Sequence, residues 1–417
     1  MNVLLLNQCF HPDVAATGQY LSDLALGLVE QGHSVTVIAG DRGYDNPAVR
    51  FPRRETWSGI RIIRIPSVSI GKQSKWRRAL NFGSFLICCA FRLLLLPRFD
   101  AVVALTSPPL ISLLGSIFVQ LKGGRFFFWV MDLNPDEAIA AGWLKETSAI
   151  ANLLQWMLRY SLRHAEKIIV LDRFMKQRIL AKGISERQVI VLPPWTLDEA
   201  VHYDEQGREE FRRRYNLSSA FVVLYAGNHS PCHPLDTLLA AAERLTDQSE
   251  IVFYFVGGGS EQNKVETFAA EKGLANIVCL PYQPLSELSG LLSAADLHTV
   301  VMGDAFVGIV HPCKVYNILA VGKPFLYIGP DESHISDIAL ENENGVTIYA
   351  ARHGDVETVT QQILKAATLT SNGQTAGTTT FVEKVSRRSL LPVMMEAIAA
   401  VAGAPGVTTT AVSQTPA

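Results

Sequence analysis

Along almost the whole chain, apolar runs of strand length alternate with longer stretches whose apolar residues recur at helical spacing. Residues 3–6 and 35–39 are two such runs, and residues 17–30 between them have the helical period, with Gly32 marking the turn. The alternation continues with predicted strands at 60–65, 101–104, 126–130, 168–171 and 189–192. Helices are predicted at 79–96, after Pro108-Pro109, and at 150–163. After Pro193-Pro194 comes a polar stretch, and the pattern then restarts. Strands are predicted at 221–225, 251–256, 277–280, 297–301 and 324–328, and helices at 235–245, 261–272, 285–293, 314–320, 355–367 and 389–401. Such alternation predicts mainly parallel sheets covered by helices on both faces. The expected fold class is therefore α/β, with two doubly wound domains facing a central cleft. The expected boundaries are 1–196 for the first domain, 197–218 for a linker, 219–385 for the second domain, 386–403 for a last helix and 404–417 for a disordered tail.

Composition narrows the partners. A chain of 417 residues with a formal net charge of −2 and 18% charged residues has no overall bias toward nucleic acid. Cys9, Cys88, Cys89, Cys232, Cys279 and Cys313 have no metal-ligand spacing, which fits a reducing compartment. No secretion signal is read at the N-terminus. Residues 79–96 reach the lower length limit for crossing a bilayer, yet Asn81, Ser84, Cys88 and Arg92 fall on one stripe, so an amphipathic or buried helix is expected. Just before it, Lys72, Lys75, Arg77 and Arg78 flank Trp76, a combination suited to contact with an anionic membrane surface.

Candidate chemistry gathers where predicted strands end. Gly257-Gly258-Gly259 follows one strand and precedes a helix, so a diphosphate could approach unpaired backbone N–H groups there; a tight turn needing glycine only for its angles is the alternative. The run is neither GxGxxG nor a Walker P-loop. Gly18, behind Thr17 as the expected N-cap, opens the first helix in the same way. Asp132, Asp136 and Glu137 cluster after the strand at 126–131 and could orient a hydroxyl or cap a helix. Lys314 falls in the first turn of a helix, an unfavourable place for a cation unless an anion lies nearby. Asn228, His229 and His233 follow another strand; nothing in their spacing demands a metal, and loop histidines are ordinarily solvated.

Taken in order, Asp132-Leu133-Asn134-Pro135-Asp136, Leu192-Pro193-Pro194-Trp195, Tyr225-Ala226-Gly227-Asn228-His229, Phe255-Val256-Gly257-Gly258-Gly259, Ala294-Ala295-Asp296 and the run from Lys314 to Pro324 resemble glycosyltransferase family 4. They look most like its bacterial envelope and exopolysaccharide branch. The resemblance implies the GT-B fold, two Rossmann-like domains with the last helix crossing back to the first. It also implies a retaining transfer from a nucleotide-sugar, a UDP-hexose or UDP-N-acetylaminosugar, without cofactor or metal. The acceptor would be lipid-linked or a membrane-proximal saccharide, placing the protein in the cytoplasm on the inner face of the membrane. Lys314, Gly257, Gly258 and Gly18 would hold the diphosphate. Asn228, His229, Tyr282 and Asn317 would complete the donor side, and Asp132 or Asp136 would orient the acceptor. The chain departs from the family pattern where paired glutamates are usual, with Asn317 at the second position and the first near Ile309, and where an arginine and a lysine are usual, with Asn228 and His233. A UDP-sugar 2-epimerase and an inactive nucleotide-sugar-binding scaffold share the architecture and are the alternatives.

Overall fold

The computed structural model describes residues 1–13, 15–43, 47–66, 75–196, 201–342, 345–370 and 380–400. The first domain is built on an eight-stranded sheet. Its strands are β1 (Asn2–Leu6), β2 (Ser34–Gly40), β3 (Arg54–Trp57), β4 (Ile60–Ile65), β5 (Ala101–Ala104), β6 (Arg125–Trp129), β7 (Lys167–Val170) and β8 (Val189–Val191), in the order β3-β4-β2-β1-β5-β6-β7-β8. All pairs are parallel except β3–β4. The polar run of β3 was not expected as a strand. It pairs because Ser58 and Gly59 both adopt positive φ, 49° and 82°, and close a two-residue hairpin whose twist suits the flanking strands.

The second domain holds β9 (Phe221–Asn228), β10 (Ile251–Gly258), β11 (Ile277–Leu280), β12 (Leu297–Val301), β13 (Phe325–Ile328) and β14 (Ile348–Ala351), all parallel, in the order β11-β10-β9-β12-β13-β14. Strand direction of travel reverses between β1 and β5 in one sheet and between β9 and β12 in the other. Ligands of open α/β sheets bind at such switch points, so the loops after these four strands define where a site is to be sought.

Part of the stretch expected as linker is structure. Helix Glu205–Arg214 packs on helix Leu288–Ala294 of the second domain. Its Arg212 is buried and donates to Asp296 Oδ2 at 3.0 Å and to the carbonyls of Ala294 and Leu217, each at 2.8 Å. Asp296 Oδ2 also accepts from Val222 N at 2.8 Å, which ties helix, strand and loop into one network. The last helix, Arg387–Ala399, lies on helix Ala16–Glu30 of the first domain, with Leu391, Met394, Met395 and Ile398 in that domain's core. Gly27 permits the contact, since a Cβ there would stand 2.8 Å from Met395 Sδ. The expected tail, 404–417, lies outside the described residues.

The Arg212–Asp296 network gives a stability prediction. Asp296→Ala leaves a buried guanidinium without its counter-charge and is expected to destabilise the fold by about 3–5 kcal/mol. Asp296→Asn, which can still accept from Val222 N, is expected to be milder. Urea unfolding of both variants checks this, and equal losses would mean that the charge is irrelevant.

Candidate active site

Helix Lys314–Ala320 opens beside the switch point of the second sheet. The Lys314 ammonium lies 3.6 Å above the centre of the Tyr225 ring at the end of β9. Gly227, at φ +131°, leaves it room, because a Cβ there would sit 3.4 Å from both Cε and Nζ of Lys314. The Nζ atom is buried and has no hydrogen-bond acceptor. Desolvation pulls its pKa from 10.5 down to about 7. His229, fully buried beside it, likewise has neither ring nitrogen in hydrogen-bond geometry with a partner. Burial, then the charge of Lys314, lowers its pKa to about 4. The expectation of solvated loop histidines is thus corrected: the switch-point loop folds under the end of β10, and His229 N donates to Gly258 O at 2.7 Å. His233 bonds Val301 O through Nδ1 at 2.7 Å, and burial holds its pKa at about 3. Around Lys314 the loop after β9 thus places Asn228 and a neutral imidazole.

The glycine run is explained mostly by packing. β10 extends through Gly258 rather than ending before the glycines. A Cβ on Gly257 would fall 2.0 Å from Gly227 O, and one on Gly259 2.1 Å from His229 O. Both glycines adopt positive φ, 142° and 139°. Gly258 lies under the half-exposed Tyr282, whose Cε2 would be 2.9 Å from an added Cβ. Asn317 stands half-buried one turn after Lys314, and Asn228 is exposed at the end of β9. Gly18 also has a packing reason for its identity, since a Cβ would sit 3.2 Å from the backbone of Cys9 and Phe10. The helix begins at Ala16, so Thr17 is not its N-cap; its hydroxyl accepts instead from Asn7 Nδ2 at 3.4 Å.

The first domain contributes carboxylates at the end of β6. Asp132 is half-buried, and burial followed by the nearby Glu137 raises its pKa to about 7. Glu137 accepts from Asn134 Nδ2 at 2.9 Å and is also raised, by burial. Cys232 Sγ, from the loop after β9, lies 3.8 Å from Glu137, so this pair faces the second domain. Asp136 points elsewhere. Lys182 Nζ reaches both its oxygens, at 2.8 and 3.0 Å, and Gln155 donates to it at 2.9 Å. That satisfied ion pair fastens helix Asp136–Ala140 to its own domain, which makes Asp132 with Glu137, not Asp136, the carboxylate pair turned to the cleft. Sequence reasoning placed Glu137 in the carboxylate cluster but gave the acceptor role to Asp132 or Asp136; the structure pairs Glu137 with Asp132 instead.

The domains meet through the loop before Lys314. Ile309 and Val310 are buried in the first domain's core, and Leu133 N donates to Ile309 O at 2.8 Å. Behind them, His311 Nδ1 and Asp172 are 2.8 Å apart, and His311 Nε2 and the Tyr316 hydroxyl are also 2.8 Å apart. His334 stacks on His311 with ring centroids 3.8 Å apart. Asp172, His311 and His334 lie close enough to be weighed as metal ligands. Both His311 nitrogens are already committed, however, and the arrangement reads as a buried hydrogen-bond chain between domains. Of the basic cluster, Lys72 lies outside the described residues; Lys75, Trp76, Arg77 and Arg78 open helix Lys75–Leu94.

Comparison with known proteins agrees with this geometry. Residues 16–195 match the glycosyl transferase 4-like domain and residues 207–372 the glycosyl transferases group 1 domain. The chain belongs to the group 1 glycosyltransferases. WcaI of Escherichia coli, named a colanic acid biosynthesis glycosyl transferase, is 27% identical over 336 residues, 77% of this chain and 82% of that protein. WbjE of Pseudomonas aeruginosa, named a glycosyltransferase, is 24% identical over 60% of this chain and 62% of its own length. Among solved structures, sucrose-phosphate synthase of Thermosynechococcus elongatus superposes with a TM-score of 0.71 at 15% identity, covering 96% of this chain and 99% of that one. HepE of Anabaena, solved with UDP and glucose, gives 0.68 at 14% identity over 96% and 99%. WaaG, a glycosyltransferase of lipopolysaccharide biosynthesis, gives 0.67 at 15% over 95% and 99%. The fold of this transferase is GT-B.

Because the Lys314 pKa is depressed in the folded chain, the folded state holds fewer protons than the unfolded state between pH 7 and 10. Stability contributed by this group therefore rises with pH in that window. Lys314→Met removes a buried amine that lacks an acceptor and is expected to stabilise the protein by about 1–3 kcal/mol near pH 6, with the advantage shrinking as pH rises toward 10.5. Melting curves across that range check the sign.

Proposed function

We propose that this glycosyltransferase moves a hexose or N-acetylated aminosugar from a UDP-sugar to a lipid-linked or other membrane-proximal acceptor, with retention at the anomeric carbon and without a metal ion. The reaction would serve the assembly of an envelope or exported polysaccharide on the cytoplasmic side of the membrane. The observation carrying this reading is the buried Lys314 ammonium, which has no acceptor at the switch point of the second sheet. A diphosphate supplies the missing acceptor, and its charge raises the pKa of the amine, so that the lysine is cationic in the complex. The departing diphosphate then gains its charge beside a cation already in place, which is the role a metal ion plays elsewhere. UDP as the nucleotude's class is supported by the HepE complex, and polysaccharide assembly by the names of WcaI and WaaG.

In this reading Tyr282 and the Gly257–Gly258 turn border the nucleotide, with His229 and Asn228 beside the phosphates. Asn317, one turn along the helix from Lys314, contacts the ribose or sugar. Asp132 accepts a hydrogen bond from the acceptor hydroxyl, and Glu137 sharing its environment sets how readily it ionises. No covalent step on the protein is required: the acceptor oxygen bonds to the anomeric carbon as the bond to the diphosphate oxygen breaks, and the hydroxyl proton passes to the diphosphate.

The test is thermal stabilisation by UDP, GDP, ADP and dTDP, each with Mg²⁺ or EDTA, because a ligand that binds the folded chain raises its melting temperature. UDP is expected to give a shift that EDTA leaves unchanged. Lys314→Ala is expected to abolish the shift and to lower turnover by about 10²–10³. Asp132→Asn is expected to keep the shift while raising the KM for acceptor. A shift with another nucleotide only, or one that requires Mg²⁺, overturns the corresponding part of the reading.

A further inference from the structure

The loop after β9 places a second unmet polar group beside Lys314. His229 is 0% exposed, and neither Nδ1 nor Nε2 has a hydrogen-bond partner. Its backbone is fully used: His229 N donates to Gly258 O at 2.7 Å and His229 O accepts from Glu261 N at 3.1 Å, which fixes the residue against the turn after β10. The ring stands edge-to-face on Tyr225 with centroids 4.9 Å apart, and Lys314 Nζ lies 3.6 Å above that same tyrosine ring. A buried neutral imidazole with both nitrogens idle leaves an N–H and a lone pair unmet. Other buried histidines of this domain avoid that cost: His298 Nε2 meets Leu292 O at 2.9 Å and His233 Nδ1 meets Val301 O at 2.7 Å.

The charged and titratable groups facing His229 are Lys314 from helix Lys314–Ala320, Tyr225 from β9 and His233 from its own loop. From β10 the ring meets Phe255 and the glycine turn, with Tyr282 over Gly258. No carboxylate among the described residues contributes to the pKa shift of His229, His233 or Lys314. Burial and the charge of Lys314 keep the His229 ring neutral while the site is empty. The backbones of Gly227 and Gly258 lie near the ring and favour its protonated form, although neither meets a ring nitrogen in hydrogen-bond geometry. Their carbonyls are acceptors, and so is every outer oxygen of a diphosphate. A neutral imidazole has one N–H to give; only an imidazolium donates on both sides.

We propose that His229 is a latent second cation of the donor site: neutral while the site is empty, it takes up a proton from solvent when a diphosphate arrives and donates to a phosphate oxygen and a glycine carbonyl at once. The inference rests on the reading of Lys314 as the diphosphate-binding group and adds a protonation linked to that binding. The empty site then avoids the repulsion of two desolvated cations, and the occupied site matches a polyanion with two. Because the complex holds more protons than the free chain, donor affinity falls as pH rises.

The test is calorimetric titration of the full chain with UDP at pH 8 in Tris and in HEPES, whose unlike protonation enthalpies reveal how many protons binding takes up. At that pH the terminal phosphate of UDP is already ionised, so the uptake reports the protein. The wild type is expected to take up about two protons per UDP, one at Lys314 and one at His229, and His229→Asn about one. The variant should also bind UDP about tenfold or more weakly, since a charge-assisted hydrogen bond is lost, and its affinity should fall less steeply above pH 8. A nitrogen-15 spectrum of the histidines reads the ring directly: an imidazolium signal should appear with UDP at pH 8 and be missing from His229→Asn. Wild-type uptake near one proton, no imidazolium signal, or equal uptake by the variant with an unchanged melting temperature overturns this inference and leaves the donor reading standing. No binding of UDP at all overturns both.

Discussion

The position of Lys314 depends on a buried hydrogen bond between domains. Asp172 caps helix Arg173–Ala181 by accepting from Met175 N at 2.7 Å, and its other oxygen meets His311 at 2.8 Å. Burial alone would raise the pKa of this carboxyl, but the His311 contact, the two histidines and the Met175 N–H hold it down at about 2. The charge is therefore kept inside the protein and points at the second domain. His311 passes the constraint to Tyr316, two residues beyond Lys314 on the same short helix. Gly308 completes the seam: at φ +69° it packs where a Cβ would come within 2.6 Å of the Phe174 backbone. The loop is thus anchored in one domain while the helix it feeds belongs to the other.

That anchoring explains how an unfavourable group can persist. A lysine amine without an acceptor is expelled to solvent unless its backbone is fixed and its alternatives are filled. Here the Tyr225 ring lies below it and Gly227 beside it, while His229 and His233 stay neutral and add no repulsion of their own at physiological pH. The fold retains a local instability where a polyanionic ligand would relieve it, a common relation between stability and function at binding sites. A single desolvated cation responds strongly to whatever compensates it.

The two-domain architecture was legible because buried parallel strands write themselves as continuous apolar runs, and β1, β5, β9, β10 and β13 hold such runs. β3 was not legible: Arg54, Glu55 and Thr56 carry no apolar alternation, and the strand exists because the Ser58-Gly59 turn folds it onto β4. Helix Glu205–Arg214 was read as linker for a related reason, its charged sequence hiding the fact that Arg212 is held internally by carbonyls and Asp296. The place of Lys314 at a helix start was legible in the sequence, whereas its burial without an acceptor was not. The role of the glycines was only half legible, since sequence cannot distinguish a backbone opened to a ligand from one opened to Gly227 or His229. The Asp172–His311–Tyr316 chain was invisible, because its members come from separate segments that only the closed fold brings together.

Strand polarity also links the helical face formed by Lys75–Leu94, Ile111–Lys122 and Ala149–Arg163 to the cleft. Each helix of that face follows a strand whose C-terminal end borders the cleft, so helices Lys75–Leu94 and Ile111–Lys122 start at the cleft edge and run away from it. A surface lying along their outer sides therefore comes to the rim of the carboxylate pair at Asp132, on the side opposite helix Arg387–Ala399. The right-handed crossover rule puts that last helix's partner, Ala16–Glu30, on the other face, since β1 to β2 advances against the direction of the connections from β4 to β5, β5 to β6 and β6 to β7. Helix Arg387–Ala399 and the face formed by helices Lys75–Leu94, Ile111–Lys122 and Ala149–Arg163 thus occupy opposite sides of one sheet.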